Sequence, residues 1–372
     1  MTTLAGGRIV TADGILSPGW VQLADGRITA TGSNSPPQPA EDLDGAWVLP
    51  GFVDIHVHGG GGADFTHAAS AIQAGAAFHA RHGTTRLLVS LMAAHLDAMC
   101  EQLSWVAALT GGDSGVLGAH LEGPFLAHAR CGAQNPQHLL APDPQVVAKL
   151  LDAGAGCVRT MTVAPELPRA LDVIREIRSA GVVAAIGHTD ATYEQARAGF
   201  AAGAALATHL FNAMPALGHR APGAAGAALD SGAACEIVND GVHVHEAMVR
   251  LAARAASGPL VFVTDAISAT GVGDGDYTLG EQLVTVRRGA ARLPATGRLA
   301  GSTLTMDEAV RRAVLDVGLP IEVASAAASG NPARVLGLDG EVGEIAAGRL
   351  ADLVVLDDSL RIRRVMRSGV WL

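Results

Sequence analysis

Between residues 52 and 264 the chain keeps returning to one texture: a short apolar run, a polar tip, then a stretch able to form an amphipathic helix. No other feature limits the possible folds as strongly. The runs are 52–57, 84–91, 116–121, 158–163, 182–186, 206–210, 235–238 and 260–264. Apolar runs this short, bounded by polar tips, read as buried strands. The intervening stretches include "AASAIQAGAAFHARHG", "PQVVAKLLDAG", "LPRALDVIREIRSAG", "TYEQARAGFAAG" and "HEAMVRLAARAASG". Each ends on Gly, the residue best suited to the left-handed position that closes a helix. Eight strands alternating with helices predict an α/β architecture, a (β/α)8 TIM barrel, whose usual size is about 250 residues. A doubly wound open sheet has the same texture, and the placement of the polar residues separates the two.

Most of the runs end on a residue that can do chemistry. "GFVDIHVHGG" places His56 and His58 two apart, so on a strand both imidazoles point to one face. Glu122 follows in "HLEGPF", His188 in "IGHTD" and His209 in "THLFNAMP". Asn239, Asp240 and His243 lie in "NDGVHVH", and Asp265 lies in "VTDA". In a barrel all these strand ends open on one mouth, where barrel enzymes carry their sites; an open sheet would spread them along an edge. Any one of them alone is ordinary, since a strand-end His is usually a satisfied polar residue and a strand-end Asp is commonly a helix cap. Together they predict a divalent metal site. The donors are imidazole nitrogen and carboxylate oxygen without thiolate, which suits zinc first, with iron, manganese or cobalt as other candidates. A Lewis acid with an open position for water points to hydrolysis. Asp265 is the expected acid/base, taking a proton from that water and returning it to the leaving group.

The flanks differ. Residues 1–50 read as short strands joined by turn pairs such as Asp13-Gly14 and Asp25-Gly26, and 34–42 ("NSPPQPAED") reads as a loop. Residues 341–372 have the same strand texture. Neither end is long enough for a stable sheet alone. The expectation is a small β-sandwich built from both termini, with the barrel occupying 51–340.

Composition closes off other classes. Hydrophobic residues make up 49% of the 372 and no uninterrupted apolar stretch reaches membrane-spanning length, so a large core is expected without a membrane partner. The N-terminus lacks a basic region followed by an apolar one, so no signal peptide is expected. Cys100, Cys131, Cys157 and Cys235 form no C-x-x-C pair, which suits free thiols in the cytoplasm. A net charge of −10 disfavours nucleic acid as a partner, though a phosphorylated metabolite needs only a local cluster of donors. The chain has a single lysine, Lys149.

The motifs "PGFVDIHVHGGGGAD", "HLEGPF", "APE", "GHTDATYEQARAGFAAGA", "THLFNAMP", "APGAAGAALD", "DGVHV", "LVTDAISATG" and "LAGSTLTM" occur in an order that resembles the N-acetylglucosamine-6-phosphate deacetylase family of the amidohydrolase superfamily. The resemblance runs through essentially the whole chain; "HLEGPF" and "THLFNAMP" are its most specific pieces. It implies deacetylation of N-acetyl-D-glucosamine 6-phosphate in amino sugar catabolism. It implies a principal ion on Glu122, His188 and His209, and, because both first-strand histidines are kept, a second ion on His56 and His58; one or two ions per chain are expected. Many amidohydrolases bridge two ions with a carboxylated lysine after strand four, but Lys149 sits in a helical stretch, and Glu122 takes the acidic-ligand role instead. The resemblance further implies that Asp265 is the acid/base and that Asn212, the Ala213 amide, Arg220 and His243 contact the sugar phosphate. It implies a homodimer in which Arg220 and His243 reach the neighbouring site. One position departs: Gln134 in "CGAQNP" stands where the family usually has a substrate-contacting His, which points to a possible shift in substrate ranking or rate, including toward the isomeric N-acetylgalactosamine 6-phosphate.

Other readings stay open at this level. An amidohydrolase for a cyclic amide or nucleobase would keep the fold and metal, and a catalytically silent scaffold would keep the fold alone. His67, His79, His82, His95 and His138 read as surface or packing residues. His120 shares the face of Glu122 and is a candidate support for it. His128 and Cys131 read as loop residues, Gly59–Gly62 as a flexible strand-to-helix loop, and Ser302 and Thr303 as a polar turn or part of a mouth loop.

Overall fold

The computed structural model describes residues 1–372. Each apolar run becomes a strand of one eight-stranded sheet: Phe52–Val57, Thr84–Met92, Val116–Glu122, Val158–Val163, Val183–Ile186, Leu206–Ala207, Ala234–Ile237 and Leu260–Phe262. The strands lie side by side in chain order, and the ladders from the second to the eighth are parallel. The first and last strands then meet. Asp265 N donates to His56 O at 2.8 Å and His58 N donates to Ala266 O at 2.8 Å, which closes the sheet into a barrel. The open-sheet alternative is thereby excluded.

The helices form where the sequence pattern places them. Pro144–Gly154 begins on an Asp143 side chain that accepts from Gln145 N and has Pro at its first position, where a missing N–H costs nothing. Tyr193–Ala202 opens with a reciprocal cap between Thr192 and Gln195 and closes on Gly203 at φ 117°. Ala170–Ser179 buries Val173, Ile174 and Ile177 on one face. Burying each such side chain stabilises the fold by about 1.5–3 kcal/mol, and these residues join Leu121, Met161 and Val163 from the strands in one core cluster.

Two features had no counterpart in the sequence reading. The sixth strand keeps only Leu206–Ala207 of the expected 206–210, because the backbone turns into the left-handed region at His209 (φ 29°). After the eighth strand comes a three-stranded antiparallel sheet, Gly275–Leu279, Gln282–Arg287 and Ala290–Arg292. It buries Leu279, Val284, Val286 and Ala291 in a small core with Met92 and Ile267.

The terminal segments share a second eight-stranded sheet. Leu353–Leu356, near the C-terminus, pairs antiparallel with Trp47–Pro50, and Trp47–Val48 in turn pairs parallel with Arg8–Ile9. The sheet curls until its far ends approach each other. Ile28 N donates to Arg349 O at 2.9 Å, Ala351 N to Gly26 O at 2.8 Å, and Gly369 N to Ala351 O at 3.0 Å. Its layers enclose Leu4, Ile9, Val21, Val48, Leu353 and Val355. By contacts the chain divides into two compact units, one of residues 1–54, 79–86 and 305–372, the other of 55–78 and 87–304. Every residue of the candidate site belongs to the second.

Candidate metal centre

The chemistry-bearing strand ends converge. Glu122 lies at the centre of two donor groups. Its Oε1 is 3.1 Å from His188 Nε2 and 3.1 Å from His209 Nε2, and those two nitrogens are 3.0 Å apart. The same Oε1 is 3.3 Å from His56 Nε2, and Oε2 is 3.5 Å from His58 Nε2. The second group closes through Asp265, whose Oδ1 is 3.2 Å from His58 Nε2 and 3.5 Å from His56 Nε2; His56 and His58 face each other at 3.2 Å. All six residues are buried, none more than 8% exposed.

The donor sets fit ions. Ligand bonds of about 2.0–2.1 Å at tetrahedral angles put neighbouring ligand atoms about 3.3 Å apart, close to the spacing seen in both groups. Two imidazole nitrogens facing each other at 3.0 Å share one proton or point two lone pairs at a cation. Tautomers are set from behind. His188 Nδ1 lies 2.8 Å from Arg130 O and donates to it, so in the neutral ring Nε2 turns its lone pair toward Glu122. His56 Nδ1 lies 3.0 Å from Glu236 Oε2 in the same arrangement. His58 Nδ1 and His209 Nδ1 are buried without a hydrogen-bond partner.

The charges agree. Burial opposes ionisation of Glu122, yet His56 and His188 hold its carboxyl well below the usual range. Burial likewise opposes charge on Asp265, and His56 and His58 outweigh it, leaving the carboxyl at about 2. Burial would lower His56, but Glu122, Asp265 and Glu236 raise it well above an ordinary imidazole. The pocket therefore favours positive charge among fixed carboxylates. His188, His209 and Asp265 also sit at positive φ (46°, 29° and 50°). Such backbone is uncommon outside glycine and costs of order 1–3 kcal/mol per residue, and it clusters at functional sites.

A cavity of about 290 Å³ opens over this cluster. Gln134, Asn212, Ala213 and His243 line it, as do Glu122, His188, His209, His58 and Asp265. Gln134 is 3% exposed, and both ends of its amide are engaged. Nε2 donates to Glu122 Oε2 at 2.7 Å and Oε1 accepts from Ala93 N at 2.9 Å. His243 is gripped by Asp240: their Nδ1 and Oδ2 are 2.6 Å apart, and Asp240 Oδ1 accepts from His243 N at 2.7 Å. Burial opposes charge on His243, but Asp240 raises it. Arg220 lies outside this cavity, exposed in the loop before the helix Gly223–Ser231. The arginines that line the cavity are Arg130 and Arg298. Asn239 is buried at the end of strand seven and does not line the cavity.

Supporting residues surround these ligands, and two of them, Glu236 and Glu166, had no role assigned from sequence. For Glu236, a carboxylate inside "CEIV" was a visible signal. Glu166 of "APE" accepts from Thr189 Oγ1 at 2.5 Å and Asp190 N at 2.6 Å, fixing the turn that presents His188. His120 belongs to a buried chain, with Ser90 Oγ 2.9 Å from its Nδ1, Thr162 Oγ1 2.9 Å from its Nε2, and Thr208 Oγ1 2.8 Å beyond. Burial and the neighbouring His56 keep His120 neutral, well below the usual value. Ser302 Oγ donates to Thr264 O at 2.5 Å and its amide to Asp265 O at 2.7 Å, so it anchors the Asp265 turn. Lys149 pairs with Asp97 at the surface, far from any ligand role.

The comparisons with known proteins agree with this geometry. The amidohydrolase family model matches residues 47–372. The chain is 37% identical to N-acetylglucosamine-6-phosphate deacetylase of Bos taurus, over 89% of this chain and 85% of that one. It is 36% identical to N-acetylgalactosamine-6-phosphate deacetylase of Escherichia coli O157:H7, over 97% of both. Among solved structures, N-acetyl-D-glucosamine-6-phosphate deacetylase of Mycobacterium smegmatis, a variant in complex with N-acetyl-D-glucosamine-6-phosphate, superposes with a TM-score of 0.95 at 43% identity, covering 100% of this chain and 98% of that one. The Thermotoga maritima N-acetylglucosamine-6-phosphate deacetylase gives 0.90 at 30% identity, covering 100% and 99%. With five of the eight strand ends delivering this ligand set and these relatives spanning most of its length, the chain belongs to the amidohydrolase family and, within it, to the N-acetylglucosamine-6-phosphate deacetylases.

Proposed function

We propose that the chain is a metal-dependent deacetylase that converts N-acetyl-D-glucosamine 6-phosphate to D-glucosamine 6-phosphate and acetate. The observation that carries this reading is Glu122, poised between His188 and His209 on one side and His56 and His58 on the other, at the floor of a cavity lined by Asn212, Ala213 and His243. Glu122, His188 and His209 hold the principal divalent ion, zinc first, with iron, manganese or cobalt as other candidates. His56, His58 and Asp265 hold a second. The ion supplies a Lewis acid for the acetamide carbonyl and lowers the pKa of water. Asp265, ionised across the physiological range, begins as a proton acceptor beside the attacking water and ends as the donor to the amine nitrogen. Gln134 holds the Glu122 carboxylate in place. Asn212, the Ala213 amide and His243 orient the sugar phosphate, and Arg220, outside its own cavity, serves the neighbouring protomer of a homodimer. Four cysteines without a disulfide suit the cytoplasm, and no helix is long and apolar enough to cross a membrane.

The test is acetate release from N-acetylglucosamine 6-phosphate, with and without chelator. Release that stops with chelator and returns with zinc supports the reading; release indifferent to metal, or none, refutes it. The galacto isomer is the second reading, favoured by the Escherichia coli relative and by Gln134 in place of the usual His, and the same assay ranks the two sugars.

A further inference from the structure

Glu236 is the middle of the seventh barrel strand, Ala234–Ile237, and is 1% exposed. Strand alternation turns it away from Cys235 and Ile237 and into the barrel. A carboxylate there is costly, because a charge in a dry core needs a partner, and apolar side chains fill most such barrel layers. Its partners are neither lysine nor arginine. One oxygen, Oε2, accepts from His56 Nδ1 at 3.0 Å and from His209 N at 3.0 Å. A single atom therefore touches a member of each donor group: the ring of His56 and the backbone of His209, where the chain has turned to φ 29°.

The hydrogen bond to Nδ1 decides what His56 can do. In the neutral ring, with Nδ1–H committed to Glu236, the lone pair of Nε2 faces His58 at 3.2 Å and Asp265 at 3.5 Å. Without that acceptor the ring is free to carry its proton on Nε2 and cease to be a ligand. Charge points the same way. Glu122, Asp265 and Glu236 place three carboxylates in one buried cluster. One divalent ion would leave that cluster net negative, and two reverse the sign.

We infer that Glu236 is a positioning residue that makes His56 a ligand and so determines whether the chain takes up a second divalent ion. The inference rests on the reading that both donor groups hold metal. Partners behind a ligating histidine typically alter metal affinity by about 10–100-fold.

The experiment uses the full chain, stripped and reloaded with zinc against a competing chelator, and with cobalt to read the ligand-field bands. The parent should take up two ions. Glu236→Gln, which keeps volume but replaces the carboxylate acceptor by an uncharged carbonyl that holds Nδ1–H less strongly, should weaken uptake of one ion by about 10–100-fold and leave the other within about threefold, with one set of cobalt bands lost. The melting temperature of the metal-free variant should stay near the parent's, which a purely structural role would not allow. Glu236→Asp, which keeps the charge but withdraws it from His56, should lose the same ion and stands in if the Gln variant does not fold. Combining Glu236→Gln with His56→Gln should cost no more uptake than His56→Gln alone. A folded variant that binds two ions with parent affinity overturns the inference, as do additive losses in the double variant or a parent that binds one ion. A parent that binds none overturns the metal reading as well.

Discussion

Replacing Gln134 by Met keeps the length of the side chain and removes both of its hydrogen bonds. Glu122 Oε2 loses a donor at 2.7 Å and Ala93 N loses an acceptor at 2.9 Å. The two losses appear in different measurements. Ala93 N is unpaired whether or not metal is bound, so its effect cancels in metal binding and appears in stability, at about 1–3 kcal/mol. Gln134 lines the cavity, so water can reach the orphaned amide, and the lower end of that range is expected. The bond to Glu122 is charge-assisted, worth about 1.5–3 kcal/mol. Because that bond is also made without metal, only the part that orients the carboxylate for the ion reaches affinity, so at about 1.4 kcal/mol per tenfold zinc binding should weaken by at most roughly 10- to 150-fold. Urea unfolding of the metal-free protein reads the first effect and chelator competition reads the second. Gln134→His, which restores a donor, should recover most of the zinc affinity. If Gln134→Met instead binds zinc as the parent does and only KM rises, Gln134 is a substrate contact and its hold on Glu122 is incidental.

Asp265→Asn keeps the shape and removes the proton acceptor, so kcat should fall by about 10²–10⁴-fold, read in an acetate-release assay with metal content checked in parallel; near-parent turnover would remove Asp265 from proton transfer. Arg220→Ala should raise KM for the phosphorylated sugar by about tenfold or more and leave the unphosphorylated sugar almost unaffected. Mixing these chains with Asp265→Asn chains should restore activity if Arg220 serves a neighbour, since one site in each mixed dimer then carries neither defect. His243 is held above the ordinary imidazole value by Asp240 against burial, with Asp265 adding to the rise and Arg292 opposing it. The imidazolium is therefore present below that raised value and lost as pH climbs through it. KM for the phosphorylated sugar should rise over that window by about tenfold or more, and the rise should vanish in His243→Asn.

The barrel was readable because each run is short, apolar and followed by a polar tip, and because side chains two apart share a face: that is how His56 and His58 declare themselves. The site was readable because Glu122, His188, His209 and Asp265 each close a run. What escaped lies in pairings across sequence distance. Gln134 reaches Glu122 through a loop whose path no periodicity encodes, and Glu236 meets His56 from 180 positions away. The three-stranded sheet after strand eight, "GDYTLGEQLVTVRRGAAR", carries ordinary strand alternation, but nothing local says that it packs Leu279 beside Met92. Arg220 is the opposite case: its motif is plain, yet its own chain leaves it exposed and outside the cavity.

The seam where the barrel closes has a consequence for folding order. The bonds that join first strand to last, His58 N to Ala266 O and Asp265 N to His56 O, involve the residues that bear one donor group. Roughly two hundred residues separate the two sides, so this closure carries a large chain-entropy cost and no local sequence helps it. An ion held by His58 and Asp265 would act as a clasp across that gap, comparable to a cross-link over a long loop. The amides of His58 and Asp265 should then exchange with solvent faster than their neighbours in the metal-free protein and slow sharply when zinc is added. Chelation would accordingly unzip the barrel from its seam before the strands opposite it, around Val158–Val163, feel any change.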